Sequence, residues 1–253
     1  MRVPPTGLFV APCSREAALW AVRAYHYSRT LPSGRALYFG VWFDGAFIGV
    51  VVVSRGACAF IARPFDSTQD KTAEVTRIAL KPGHVVPVSQ VLAVVVRLLR
   101  HSNPRLELLV SYSDTRQNHH GGIYQGSNWT YLGETAREAT LFIHGREVHA
   151  RTVSSKYGTR DVRWLKANVD PNAARIDCPP KYKYALGLTS AMRERLALLA
   201  KPYPKALVEC GRGAGQRHAR ALAGGVSFPG GGIHREGALQ YDPAAPFFTR
   251  AYV

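Results

Sequence analysis

The chain has 253 residues, of which 46% are hydrophobic, and this length and composition fit one globular domain with a sizeable core. Its 33 Lys and Arg exceed its 17 Asp and Glu, and the resulting net charge of +16 indicates a polyanionic partner, most often nucleic acid. No apolar run is long enough to cross a membrane and no signal peptide is recognisable, so we expect a cytoplasmic protein. The four cysteines are widely scattered, which predicts free thiols rather than a zinc site.

The apolar patterns along the chain predict strands interspersed with helices. The predicted strands are 7–12, 37–43, 46–54, 74–80, 106–112, 129–133, 140–144, 147–151 and 181–188. The predicted helices are 14–25, 88–100, 152–157, 161–168 and 189–201. The Asp44-Gly45 pair marks a tight hairpin, and the VVVV run at 50–53 predicts a strand that is buried on both faces or packed under a helix.

This order of elements predicts an α/β (α+β) fold, with a mixed, mostly antiparallel central sheet and helices on both faces. The arrangement resembles that of GNAT-like acyltransferases. From residue 209 onward the periodicity disappears, and Gly, Ala, Arg and Pro dominate. We therefore expect a folded GNAT-like domain, 1–208, followed by a disordered low-complexity tail, 209–253. The tail holds only five of the Lys and Arg residues against three acids, so the basic character belongs to the domain.

Polar side chains are concentrated in the segment 111–133. Asp114 directly follows an apolar strand, and His119, His120, Tyr124 and Gln125 come within the next eleven residues. A carboxylate, two imidazoles and a phenol so close together can bind a metal or move protons. The alternative is a polar loop in which the aspartate caps a short helix. The density of titratable groups favours a functional site.

Two other segments carry candidate residues. His26, Tyr27 and Arg29 follow the first predicted helix, either as site residues or as a helix cap with ordinary packing. Ser89 lies in the first turn of the helix 88–100, where free backbone N–H groups favour an anion. GNAT enzymes that use acyl-CoA hold its pyrophosphate with a glycine-rich loop at this position. Here the loop has one glycine, and Pro87 lacks a backbone donor. Further along, the Gly121-Gly122 pair is expected to interrupt any helix.

Three motifs together resemble the Mom proteins of bacteriophages. They are the HY pair of AYHYSRTLPSG, the strand EVTRIAL with the following loop and Ser89, and SYSDTRQNHHGGIYQGSNW. The resemblance covers roughly residues 5–190. It implies modification of adenine at N6 in double-stranded DNA with a carbamoylmethyl group, which blocks host restriction, and it places the protein in the cytoplasm of an infected bacterium. It also implies dependence on iron, and it leaves open whether acyl-CoA or another compound is the donor.

The same resemblance assigns expected roles to individual residues. The matched active-site positions are His26, Tyr27, Asp114 and Tyr124. Of these, His26 and Asp114 are the candidate iron ligands. The positions that match substrate or cofactor handling are Arg77 and Ser89. The candidate substrate contacts are Arg29, His119, His120 and Gln125. The adjacent pair His119-His120 departs from the family pattern.

Two other functions remain open. The first is a GNAT-type N-acyltransferase that uses acyl-CoA and acts on a hypermodified base or another amine, and the weak phosphate loop argues against it. The second is a non-catalytic basic DNA-binding protein, which would leave the cluster of Asp, His and Tyr side chains without a role. Replacement of Asp114 by alanine separates the two classes, because a binding protein should be indifferent to it and an enzyme should lose its activity.

Overall fold

The computed structural model describes residues 7–56, 58 and 60–204, and this part of the chain contains two sheets and six α-helices. The strands of the main sheet are β1 (Leu8–Pro12), β2 (Ala36–Phe43), β3 (Ala46–Ser54), β4 (Thr72–Leu80), β5 (Leu108–Ser113), β6 (Thr130–Glu134) and β10 (Tyr182–Gly187). Those of the small sheet are β7 (Glu138–Ile143), β8 (Arg146–His149) and β9 (Ala174–Cys178). The helices are α1 (Arg15–Tyr25), α2 (Val88–Ser102), α3 (Gly122–Gln125), α4 (Ala150–Tyr157), α5 (Val162–Asn168) and α6 (Ser190–Leu199).

The main sheet runs in the order β1-β2-β3-β4-β5-β10-β6, and β4 with β5 is its one parallel pair within the described residues. Helices cover both faces of the sheet. Successive side chains of a strand point to opposite faces, so a central strand packs against helices on both sides. Val50 and Val52 of β3 pack in the cluster that contains α1, whereas Val51 and Val53 pack in the cluster that contains α2. The predicted fold class is therefore confirmed, and the VVVV run is buried on both faces.

The small sheet has the order β8-β7-β9 and forms its own core with α4 and α5. The hairpin of β7 and β8 was predicted, but β9 was not, because its sequence ARIDC carries two charges and little apolar alternation. The predicted strand 147–151 is also too long, since β8 ends at His149 and α4 begins at Ala150.

The glycine pair corrects another prediction. Gly121 adopts the left-handed conformation, with φ of 81°, and α3 begins directly after it at Gly122, so the pair starts a short helix instead of preventing one. A Cβ atom at Gly121 would also overlap the ring of Tyr184. Both the backbone angle and the lack of space therefore require glycine at this position.

The point where β4 and β5 separate positions the site described below. Their parallel pairing covers only Thr72–Val75 and Leu108–Ser111, after which the two strands share no further pairs. A β-bulge shifts the register between β3 and β4 just beyond that point. The GNAT-like order expected from the sequence is thus present, with an opening between two neighbouring central strands.

Three further expectations concern the whole chain. Cys13, Cys58 and Cys178 are free thiols, as predicted, whereas Cys210 and the predicted tail, 209–253, lie outside the described residues. No helix in the described ranges combines the length and hydrophobicity that a bilayer crossing requires.

Candidate active site

A pocket of about 740 Å³ opens where β4 and β5 separate. Most of the predicted site residues line it, and they come from three separate parts of the chain. The loop after α1 contributes His26 and Tyr27, and β4 contributes Arg77. The segment after β5 contributes Asp114, His119, His120 and Tyr124. The structure therefore brings together residues that are far apart in the sequence, in a cavity of the size that small-molecule sites usually have.

The neighbours of His26 fix its protonation state. Its Nδ1 atom accepts a hydrogen bond from the backbone N–H of Ser28 at 3.1 Å, and the Ser28 hydroxyl lies 2.9 Å from the same nitrogen. Because a backbone amide can only donate, Nδ1 carries no proton, and the neutral ring holds its proton on Nε2. Burial, followed by the positive charge of Arg77, lowers the pKa of His26 to about 4. His26 is therefore a neutral Nε2–H donor at pH 7.

Tyr27 joins His26 to the other side of the pocket. Its ring stacks on the His26 ring, with 4.4 Å between centroids, and its edge approaches His119 at 6.2 Å. Burial raises the pKa of Tyr27 to about 12, and the charge of Asp114 and a hydrogen bond with it act in the same direction. With this pKa the Tyr27 phenol stays protonated at pH 7. The residue is 51% exposed, so its ring offers an aromatic surface to a ligand.

Asp114 caps a short helical turn and also lines the pocket. Its Oδ1 atom accepts a hydrogen bond from the backbone N–H of Arg116 at 3.0 Å, which caps the 3₁₀ turn Thr115–Gln117. The helix-cap interpretation is thus correct for one carboxylate oxygen. The two oxygens of a carboxylate offer about four acceptor sites, so the cap and the hydrogen bond from the Tyr27 phenol still leave Asp114 able to accept a further proton in the pocket.

Arg77 ties the loop after α1 to the sheet. Its Nε donates to the carbonyl of Thr30 at 3.2 Å, and its Nη1 donates to the carbonyl of Thr76 at 2.7 Å. Burial lowers the pKa of the guanidinium, although not enough to neutralise an arginine. Arg77 therefore holds a positive charge at the pocket wall and fixes the segment that carries His26 and Tyr27.

Tyr124 lies at the bottom of the pocket, with only 6% of its surface exposed. Its ring stacks on Tyr184, with 5.1 Å between centroids, and its hydroxyl lies 2.7 Å from that of Ser111. Burial raises the pKa of Tyr124 to about 12, so this phenol is neutral at every physiological pH. The Tyr124 side chain thus fills the buried end of the space between β4 and β5.

Three candidate residues do not line this pocket. Ser89 lies in the first turn of α2, as predicted, but it faces a separate groove with Arg97 and Asn128. The side-chain amide of Gln125 donates to the carbonyl of His120 and to the hydroxyl of Tyr184, both at 3.2 Å, which supports the loop rather than a ligand. Arg29 is exposed, in a left-handed turn with φ of 51°.

Two serines that the sequence analysis missed determine the hydrogen bonding of His26 and Tyr124. Ser28 determines which nitrogen of His26 is protonated, and a serine two residues after a histidine is a local pattern that could have revealed it. Ser111 donates to the carbonyl of Val75 and contacts the Tyr124 phenol, and both contacts exist only in the folded chain. A search for local motifs therefore had no means of finding Ser111.

The donor set does not fit a complete iron centre. Within the described residues, no group of three or more His, Cys, Asp or Glu side chains is close enough to hold a metal ion. Of the two candidate ligands, His26 already uses Nδ1 for Ser28 and carries a proton on Nε2, and Asp114 uses one oxygen as a cap. Iron stays a prediction, and no step below is assigned to it.

The protein has a GNAT-like α/β fold, with a mixed sheet and a polar pocket between two central strands that separate. The chain belongs to the Mom protein family, whose sequence profile matches residues 7–205. It is also 25% identical over 194 residues to the methylcarbamoylase Mom of Escherichia phage Mu, a match that covers 73% of this chain and 78% of that protein. The family expected from the three motifs is therefore confirmed.

Solved structures give more distant similarities. An IAA acetyltransferase from Bacillus cereus shares 16% identity at a TM-score of 0.39, with 72% of this chain and 100% of that chain covered. FeeM, an N-acyl amino acid synthase from uncultured soil microbes, shares 14% identity at a TM-score of 0.42, with 74% and 93% covered. Both TM-scores lie below 0.5, and no assignment of substrate or donor rests on them.

Proposed function

We propose that this chain is a phage transferase that converts adenine to N6-carbamoylmethyladenine in double-stranded DNA and so protects that DNA from host restriction. The observation that carries the proposal is the convergence of His26, Tyr27 and Asp114 on one pocket, because the motif resemblance assigns active-site positions to these residues. The net charge of +16 supports a nucleic-acid substrate.

The proposed transfer needs a base at the nucleophile. Adenine N6 is a weak nucleophile because its lone pair is delocalised into the ring. In the reaction N6 bonds to the methylene carbon of an activated carbamoylmethyl donor, and the bond from that carbon to its leaving group breaks. We assign the N6 proton to the carboxylate of Asp114 rather than to His26, because Nδ1 of neutral His26 accepts from Ser28 and its Nε2 already carries a proton. The Nε2–H of His26 then donates to an acceptor atom of the bound base or donor.

The pocket also suits an extruded base. N6 lies in the major groove of duplex DNA, and chemistry on a base usually requires that it leave the stack. A volume of about 740 Å³ accommodates a purine together with a small donor. The half-exposed ring of Tyr27, held by stacking on His26, supplies a surface on which the purine can stack.

An acyl-CoA donor has weaker support. In this structure Pro87 is the N-cap of α2, no side chain caps that helix, and the adjoining loop has one glycine, Gly83. The position that would hold a pyrophosphate therefore lacks one backbone donor. Iron remains a prediction from the family resemblance, and metal analysis of the purified protein tests it. The resemblance leaves the identity of the donor open.

Nucleoside analysis tests the proposed function. The chain is expressed in a bacterial host that carries phage DNA, and the recovered DNA is digested and analysed by mass spectrometry. We expect deoxyadenosine with one added carbamoylmethyl substituent, and Asp114→Asn should lower its yield by roughly 10²- to 10⁴-fold. The matched control is Asp161→Asn, because Asp161 also caps a helix, through its bond from the N–H of Trp164 at 2.8 Å, but lies outside the pocket. Unmodified adenine in both host and phage DNA, with the protein soluble and folded, would refute the proposal.

A further inference from the structure

Outside the pocket, arginine side chains are concentrated on a groove of about 340 Å³ along the small sheet. Its four arginines come from four different elements: Arg137 before β7, Arg151 in α4, Arg160 between α4 and α5, and Arg175 in β9. All four are exposed, and one carboxylate, that of Glu138, shares the groove with them. The arginine groove is therefore a concentration of positive charge that the proposed chemistry does not use.

The charges of this groove are only partly compensated. Arg175 pairs with Asp177 at 2.8 Å, whereas neither Arg137 nor Arg160 forms an ion pair within the described part of the chain. Several like charges on a concave surface focus the electrostatic potential and attract anions. Guanidinium groups suit phosphate in particular, because their planar N–H pairs bind two oxygens at once.

The small sheet is fixed directly to the pocket. Arg116, two residues after Asp114, forms a bidentate pair with Glu147 of β8, with N–O distances of 2.6 and 3.1 Å. The hydroxyl of Thr140 in β7 donates to the same Glu147, and Thr115 donates to the carbonyl of Pro180 at 2.7 Å. The arginine groove and the Asp114 loop are thus parts of one connected structure, and the charge of Arg116 is already neutralised.

We propose that the arginine groove binds the phosphodiester backbone of duplex DNA beside the base that enters the pocket. This inference rests on the proposed DNA substrate and adds the surface that binds its backbone. An enzyme that extrudes a base must hold the flanking backbone while the base leaves the stack, and phosphate contacts supply that positioning. Arginines on several separate elements match a row of phosphates better than they match one small anion.

Salt-dependent DNA binding tests this surface. The full chain carrying Arg137→Gln and Arg160→Gln is compared with wild type by fluorescence anisotropy on a labelled duplex over a range of salt concentrations. Each lost phosphate contact lowers the slope of log affinity against log salt by about 0.9, so the double variant should lose about 1.8. The control is Arg15→Gln with Arg23→Gln, which removes the same charge from exposed positions of α1 and should leave the slope unchanged.

The possible outcomes separate this inference from the proposed function. Equal slopes for the groove variant and wild type, or equal losses in groove and control variants, overturn the groove as the DNA contact, even if adenine is modified. A loss confined to the groove variant supports it, even if nucleoside analysis finds no modified adenine. Thermal unfolding measured for each variant confirms that the exposed substitutions leave the fold intact.

Discussion

The Tyr124 phenol and the Ser111 hydroxyl lie 2.7 Å apart in the buried corner where β4 and β5 separate. Ser111 is also 2.7 Å from the carbonyl of Val75, which can only accept a hydrogen bond. Since a serine has one proton and that proton bonds the carbonyl, the Ser111 oxygen accepts the proton of Tyr124. The phenol proton is therefore committed to a structural bond with Ser111, which in turn bonds Val75, its partner in the last parallel pair of the two strands.

This relationship predicts unequal costs for the two partners. Tyr124→Phe removes one hydrogen bond and should lower the free energy of unfolding by about 1 kcal/mol. Ser111→Ala should cost more, roughly 2 kcal/mol, because it leaves the buried Val75 carbonyl and the phenol without a partner. Urea unfolding of both variants measures the difference. A larger loss for Tyr124→Phe would mean that the hydrogen bond is not oriented as inferred.

Asp114 both caps a 3₁₀ turn and lines the pocket, so we expect its substitutions to change stability and activity by different amounts. Asp114→Asn keeps an oxygen to accept from the Arg116 N–H, so its stability should be close to that of wild type, while adenine modification falls by roughly 10²- to 10⁴-fold. Asp114→Ala loses the cap as well and should cost about 1 kcal/mol of stability. Thermal unfolding and nucleoside analysis of both variants check this. An active Asp114→Asn protein would exclude the carboxylate as the base.

The lowered pKa of His26 predicts a pH dependence of stability. Its pKa is about 4 in the folded chain against an ordinary value of 6.5, so the unfolded chain takes up the proton first as the pH falls. The stability that neutral His26 contributes is therefore complete above about pH 6.5 and is lost between about 6.5 and 4. His26→Asn, which retains an acceptor for the Ser28 N–H, should flatten the decline in this window.

Urea unfolding at several pH values between 4 and 7 measures that effect. The control is His101→Asn, which makes the same substitution at the exposed end of α2, outside the pocket. If the stability of the His26 variant declined as that of wild type does, another group would have to account for the decline.

Gly121 is predicted to tolerate no side chain. Gly121→Ala combines a left-handed backbone, at φ of 81°, with an overlap between the new Cβ and the Tyr184 ring. The control is Gly83→Ala, with φ of 75° but no atom within 4 Å of the new Cβ, so it carries only the backbone strain of roughly 1 kcal/mol. Melting temperatures should show a clearly larger loss at Gly121. Similar losses at the two positions would show that the ring moves aside without cost.

The sequence predicted those features that local pattern controls. The VVVV run, the Asp44-Gly45 turn and the apolar periodicity of α2 each specify an element, and all three occur where expected. In contrast, β9 is recognisable only through its pairing with β7, since ARIDC alone lacks a strand pattern. Likewise, Gly121 reads as a helix breaker in sequence, but its left-handed angle makes it the start of a helix.

The residues predicted for the site also fall into two groups, those that line the pocket and those that do not. Motif matching selected His26, Tyr27 and Asp114, and the structure brings them to one pocket. The same matching selected Ser89 and Gln125, which the fold directs elsewhere, because position in a motif does not specify where a side chain points.

The position of β10 has a consequence for how the chain is made. Among the strands of residues 7–204, β10 is the last of the main sheet to leave the ribosome, and it lies between β5 and β6, pairing with both. Until it emerges, both earlier strands present unpaired edges, which invite aggregation. Tyr184 of β10 also donates to the carbonyl of His120 at 2.7 Å, so the loop that carries Asp114 is secured at the same moment. A product truncated before β10 would therefore lack a formed pocket and would be a target for chaperones and proteases.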